Sequence, residues 1–180
     1  MESVASGLDR LRDLATRPAV AELAQLFRAA GRELALVGGT VRDAFLDRGL
    51  SGDEIDLDFA TDATPDETEA ILAPTGRTMW DTGRRFGTIG VRVGGYVCEI
   101  TTYRTDAYDG TSRKPEVEFG DSLEGDLARR DFTVNAMALR VPDLQLVDPT
   151  GGFDDLLARR LRTPGAPEAN CRPAANPTAR

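Results

Sequence analysis

Histidine is absent from all 180 residues. Without imidazole there is no Ser-His-Asp or Cys-His relay and no His-ligated zinc. Any catalysis must rest on carboxylates, Arg, Lys, Tyr or a metal. Cysteine is nearly absent: Cys98 and Cys171 are the whole supply, too few for a disulfide framework or a Cys-rich zinc site. No apolar run approaches the roughly 20 residues needed to span a bilayer. The opening Met1-Glu2-Ser3-Val4 lacks the basic and apolar regions of a signal peptide. A cytoplasmic location with no membrane partner is therefore expected. Positive charge is also short: the formal net charge of −8 argues against a broad nucleic-acid-binding surface, though not against a local basic site in an acidic shell.

What is present suits one ordinary domain. The apolar content of 41% and charged content of 29% are those of a soluble globular chain long enough for a real core. Residues 8–30 carry two helical patterns, with Val20, Leu23, Leu26 and Phe27 on one face, Pro18 near the start and Gly31 just past the end. Leu34–Val37 predicts a short buried strand running into Gly38-Gly39. Thr40 is placed to cap a helix through about Arg48, closed by Gly49. A strand follows at Ile55–Phe59. Thr64-Pro65-Asp66-Glu67 then predicts a helix start, with a cap, proline at the first position and acids in the first turn. From Gly87 the period drops to two, so Thr88–Val93 and Tyr96–Tyr103 read as a hairpin joined by Gly94-Gly95.

Residues 106–114 are polar and aperiodic, a loop pattern. Asp121 is expected to open a helix, with Glu124 placed for a capping box, and Asp131–Leu139 to form the next helix. A short strand at Gln145–Val147, a turn at 148–152 and a helix from about Asp154 to Leu161 complete the pattern. Residues 163–180 hold four prolines and five alanines but no Leu, Ile, Val or aromatic residue. Such a segment buries too little surface to offset its ordering entropy and is expected to be disordered. The expected organisation is a helical segment (1–30), a catalytic unit (31–162) and a tail (163–180), with an α/β (α+β) fold.

Four groups of residues carry candidate chemistry. Asp56 and Asp58 lie two apart on the predicted strand, so both project from one face while Ile55, Leu57 and Phe59 take the other. Alone, the pair fits an exposed acidic strand as well as a seat for a hard cation such as Mg²⁺. Gly38-Gly39 before a helix offers unobstructed backbone N–H groups to an anion, with Arg42 one turn in as a phosphate clamp. Taken alone, the glycine pair is better read as a tight strand-to-helix turn. Glu99, on a neighbouring strand, would add a third carboxylate or serve as an ordinary solvated side chain. The segment Asp126–Ala136 packs Arg129, Arg130, Asp131 and Asn135 beside an apolar stretch. Arg130 suits phosphate or ribose oxygens, Asp131 suits a helix cap, and Asn135 follows one turn later.

In order, the motifs are Gly38-Gly39-Thr40-Val41-Arg42-Asp43, Asp56-Leu57-Asp58, Phe86-Gly87-Thr88, Glu99-Ile100-Thr101-Thr102-Tyr103-Arg104, Arg129-Arg130-Asp131-Phe132-Thr133-Val134-Asn135-Ala136 and Asp148-Pro149-Thr150-Gly151-Gly152. From about Leu34 to Arg162 this series resembles the head domain of the class II CCA-adding tRNA nucleotidyltransferases and bacterial poly(A) polymerases. The resemblance implies a polymerase β-like nucleotidyltransferase fold, with Asp56 and Asp58 holding Mg²⁺ and Glu99 as a third catalytic carboxylate. Gly38, Gly39, Arg42, Arg129, Arg130, Asp131 and Asn135 would contact the nucleotide. The Arg-Arg-Asp motif would help select ribose, and residues 106–114 would be a catalytic loop.

The implied activity is addition of CMP and AMP from CTP and ATP to a tRNA 3′ end. Poly(A) synthesis and Mg-nucleotide binding without transfer are the alternatives. The family continues into a neck bearing a Glu-Asp-x-x-Arg motif that reads the base. Glu168-Ala169-Asn170-Cys171-Arg172 is not that motif, so a truncated or frame-shifted product is the expectation, with tRNA binding mostly in the absent parts.

Overall fold

A computed structural model describes residues 4–48, 56–105, 118–120 and 122–165. The chain opens with α1 (Val4–Thr16) and α2 (Pro18–Ala29), separated by an extended Arg17. Pro18 starts α2 because its fixed φ suits a first turn whose N–H has no partner anyway. Gly31, at φ 71°, ends the run in a left-handed conformation open to glycine. Then come β1 (Leu34–Val37), α3 (Gly39–Leu46), β2 (Asp56–Thr61) and α4 (Pro65–Leu72). Thr64 and Glu67 form the full reciprocal capping box at the head of α4. β3 (Met79–Trp80), β4 (Thr88–Val93), β5 (Tyr96–Thr102), β6 (Arg104–Thr105) and β7 (Glu118–Phe119) follow. The last elements are α5 (Leu123–Ala128), β8 (Ala138–Val141), β9 (Gln145–Val147) and α6 (Gly152–Leu157).

Seven strands form one sheet in the order β3-β4-β5-β2-β1-β8-β9, and β6 with β7 makes a separate ribbon. β2 and β5 are parallel, and the other pairs in the large sheet are antiparallel. The parallel pair is possible because the chain between them crosses over through α4. β1 sits centrally and is buried along its whole length. Leu34 and Leu36 face the main core with Leu57, Phe59, Ile89, Val91, Cys98 and Ile100, and α1 and α2 cover that face with Leu11, Leu14, Val20, Leu23 and Phe27. Ala35 and Val37 face a smaller core with Ala60, Tyr103, Leu123, Leu127 and Ala138. The period-two alternation thus feeds both faces, and each fully buried Leu, Val or Phe contributes about 1.5–3 kcal/mol of transfer free energy.

The structure departs from the sequence expectation at several helix ends. Thr40 does not cap α3. It lies buried inside the helix, and Gly38, at φ 66° and ψ −129°, takes the cap position. The chain reverses there by glycine backbone freedom rather than by a hydroxyl. The helix ends at Asp47, in a left-handed conformation, and Gly49 lies outside the described residues. The cap of α5 is Ser122, whose hydroxyl accepts the Gly125 N–H at 3.3 Å. Asp121 is outside the described residues, and Glu124 makes an ion pair with Arg140 instead of closing a box.

The helix expected over Asp131–Leu139 is a single 3-10 turn (Thr133–Asn135) followed by β8. Pairing with β1 outweighs the helical pattern: Leu139 and Val141 enter the main core while Ala136 and Ala138 enter the smaller one. α6 stops at Leu157, short of Leu161, with Arg159 left-handed at φ 52°. Ile55, the 106–114 loop and 166–180 of the tail lie outside the described residues.

Candidate nucleotide and metal site

Asp56 and Asp58 are exposed on the same face of β2, and Leu57 and Phe59 between and after them are buried in the main core. A strand anchored by its apolar alternation therefore presents two carboxylates on a rigid edge. Asp58 is open at the surface, yet the surrounding protein removes enough water to push its pKa up. Arg130 opposes that shift and the neighbouring Asp56 charge reinforces it. Two hydrogen-bond registers bring other groups alongside. Glu99 on β5 is the direct parallel partner of Asp58 and is exposed like it. The antiparallel β1–β2 register runs Ala35↔Ala60 and Leu36↔Phe59, so β1 delivers the Gly38-Gly39 turn beside Asp58. Among the described residues, no group of three His, Cys, Asp or Glu side chains gathers into a single metal cage. Glu99 is thus a neighbour of the aspartate pair rather than part of a formed three-carboxylate cluster.

The glycine turn is fixed from behind by the Gly38 N–H, which donates to the Met137 carbonyl at 3.2 Å. Arg42 folds back over it, and a Cβ on Gly39 would lie 3.4 Å from Arg42 Nη2. The guanidinium has local partners. Nε and Nη2 donate to Asp43 at 2.8 and 3.1 Å, and Nη1 donates to Asn135 Oδ1 at 2.6 Å. Asn135 Nδ2 in turn donates to Asp131 Oδ1 at 3.3 Å, which also accepts the Phe132 N–H at 2.8 Å. Asp131 therefore stabilises the 3-10 turn rather than capping an α-helix. The chain Asp43–Arg42–Asn135–Asp131 ties the start of α3 to that turn.

Arg130 reaches the centre of the site. A Cβ on Gly38 would lie 3.1 Å from its Nη1, and its charge acts on Asp58. A side chain at 38 would crowd that guanidinium slightly, and the φ of 66° there favours glycine in any case. Arg130 Nη2 and Arg129 Nη2 both donate to buried Asp126, at 3.0 and 2.6 Å. The sequence pattern pointed to Arg129, Arg130, Asp131 and Asn135 but left Asp126 and Arg104 without a role. The signal for Asp126 was its spacing: on a helix, positions three and four residues on lie above it.

A seven-stranded mixed sheet carrying paired carboxylates beside a glycine turn defines a nucleotidyltransferase α/β fold. Residues 34–162 match the family model described as the poly A polymerase head domain, and the chain belongs to that family. It is 45% identical over 142 residues to a CCA-adding enzyme of Streptococcus pyogenes, covering 78% of this chain and 33% of that protein. The crystal structure of the Bacillus stearothermophilus CCA-adding enzyme in complex with CTP superposes with a TM-score of 0.69 at 35% identity. That match covers 83% of this chain and 34% of the other. A tRNA nucleotidyltransferase complexed with a primer tRNA and an incoming ATP analog gives 0.61 at 30% identity, covering 79% and 39%. The chain spans about a third of the length of the curated relatives it matches.

Proposed function

We propose that residues 31–162 form the catalytic head of a template-independent RNA nucleotidyltransferase that adds CMP and AMP, from CTP and ATP, to the 3′ end of tRNA. The observation that carries this reading is the exposed Asp56/Asp58 pair on one face of β2, with Arg130 Nη1 lying against the Gly38 turn and its charge felt at Asp58. A triphosphate placed there would meet backbone N–H groups and a guanidinium on one side and a cation-binding pair on the other. The relatives named as CCA-adding enzymes, and the solved complexes with CTP and with primer tRNA plus an ATP analog, support the same substrates.

The residues fit Mg²⁺. Asp56 and Asp58 are hard oxygen donors on one exposed face, and the Asp56 charge disfavours ionisation of Asp58, an effect that a cation between them would offset. Mg²⁺ bound by the pair would lower the pKa of an RNA 3′-hydroxyl and offset charge at the α-phosphorus as pyrophosphate leaves. The chain's own residues do the positioning. The Gly38-Gly39 turn leaves room for phosphate oxygens, Arg130 and Arg129 add positive charge, and Arg42, Asn135 and Asp131 hold the turn and the Arg-Arg-Asp segment in register. Glu99, beside Asp58, adds negative charge that strengthens cation binding without itself joining a cage.

The test is incorporation of labelled CTP or ATP into tRNA lacking its CCA end, in the presence of Mg²⁺. Transfer abolished by Asp56→Ala supports CCA addition. Extension of arbitrary RNA by ATP alone supports poly(A) synthesis, the reading favoured by the name of the matching family model. Nucleotide binding without transfer assigns the chain a Mg-nucleotide-binding role alone. In each case Asp58→Ala is expected to abolish Mg²⁺-dependent nucleotide binding, measured by calorimetry. Unchanged Mg-ATP affinity in that variant overturns the site.

A further inference from the structure

Asp126 is a buried carboxylate, its side chain 2% exposed, at the centre of an arginine cluster. Oδ1 accepts from Arg129 Nε at 3.2 Å, Arg129 Nη2 at 2.6 Å and the Arg104 backbone N–H at 3.1 Å. Oδ2 accepts from Arg130 Nη2 at 3.0 Å. Two guanidiniums and the Arg104 backbone N–H thus converge on one carboxylate, and the Arg104 side-chain charge lies near enough to feel it. Burial raises its pKa, but Arg130 and Arg129 outweigh that and hold it below the ordinary carboxylate range. Arg104 feels the excess positive charge: burial first, then Arg129, draws its pKa down. The Nε–H groups of Arg104 and Arg130 are buried without an acceptor among the described residues. Unbalanced charge in a partly dry setting makes the cluster depend on Asp126, the carboxylate bonded to it among the described residues.

Of the three arginines, Arg130 is the one whose far nitrogen, Nη1, lies against Gly38 and whose charge reaches Asp58. Its near side is pinned by Asp126. We propose that Asp126 is a positioning residue that aims Arg130 across the Gly38 turn at the nucleotide. Its effect on nucleotide binding passes through Arg130 rather than through stability. This rests on the nucleotide-site reading above, and Asp126 itself touches no substrate.

The test uses the full chain and two readouts. The first needs no nucleotide: exchange of the arginine Nε–H protons by NMR. In the wild type, slow exchange is expected at Arg104 and Arg130, and Asp126→Asn accelerates both while the fold, read by circular dichroism, persists. The second is Mg-ATP affinity. Asp126→Asn should weaken it roughly tenfold, the factor expected of one misplaced charge-assisted contact. It should have no further effect in an Arg130→Ala background. Asp126→Glu, which keeps the charge, should restore most of the affinity.

Unchanged exchange in Asp126→Asn, or losses that multiply in the double variant, overturn the proposal. If exchange accelerates but the wild type binds no Mg-ATP, the aiming of Arg130 stands and the nucleotide reading falls. Should Asp126→Asn not fold, Asp126→Glu carries the test alone. One added methylene must shift the Arg130 Nε–H signal while most of the affinity is kept, and an unshifted signal, or an affinity loss as large as that of Arg130→Ala, overturns the proposal.

Discussion

Single atoms decide much of this site. Gly38 admits Arg130, and elsewhere Gly90 admits Trp80, whose indole occupies the space a Cβ on Gly90 would need. Gly90 is the antiparallel partner of Glu99, so the indole covers the strand beside the carboxylate face. Gly90→Ala should displace the ring and destabilise the protein by about 1–3 kcal/mol, as overpacking does. Chemical denaturation measures the loss, and Trp80, the sole tryptophan, should shift its fluorescence emission. At this scale the sequence was legible wherever chemistry follows spacing. Asp56 and Asp58 share a face because strands alternate, and Leu57 and Phe59 are buried for the same reason. Asp126 was less legible, because an acid in the first turn of a helix has a sufficient local explanation in the helix dipole. Its burial is a property of the packing, not of the segment.

Among elements, the short apolar run of β1 and the predicted strands β2, β4 and β5 follow the sequence pattern closely, as do α2 and α4 with their proline starts. β8 did not. Its Ala-Leu-Arg-Val run, entered through Ala136-Met137, serves two cores at once, so the segment fits a helical pattern as well as a strand, and only the β1 partner decides. α6 is held by Asp155, fully buried, which accepts from the Thr133 hydroxyl at 2.6 Å, Arg160 Nε at 2.6 Å and Arg162 Nε at 2.9 Å. The Thr133 bond is the main reason its pKa is lowered; burial opposes the shift, and the two arginines add to it. A lowered folded-state pKa gives stability that is present above the unfolded value of about 3.9 and lost as pH falls through the folded value. Asp155→Asn should therefore be less stable than wild type at pH 7 and pH 5, with the gap narrowing at pH 3. Urea unfolding at the three values reads it, and a gap constant down to pH 3 would count against the ionised state of Asp155.

Over the whole molecule, the sheet separates two cores, and the larger one encloses Cys98. Burial pushes the Cys98 thiol up to about 12, with Arg77 opposing, and its surface is fully covered. A thiol reagent needs both access and a thiolate. In a Cys171→Ala variant, labelling of Cys98 should therefore proceed only as fast as the sheet unfolds globally, matching the rate inferred from denaturant unfolding. Labelling within seconds in native buffer would instead reveal local opening of β5. The described residues contain no helix long and apolar enough to cross a membrane.

The central place of β1 also bears on the order in which the chain becomes competent. Its neighbours come from far along the polypeptide: Ala35 pairs with Ala60, but Leu34 pairs with Val141, and the Gly38 N–H finds its acceptor only at Met137. Closing so wide a loop is entropically slow and precedes any return from the contacts it makes. During synthesis, then, the aspartates and the glycine turn emerge early but stay unassembled. They become a site only when β8 has left the ribosome and taken its place beside β1.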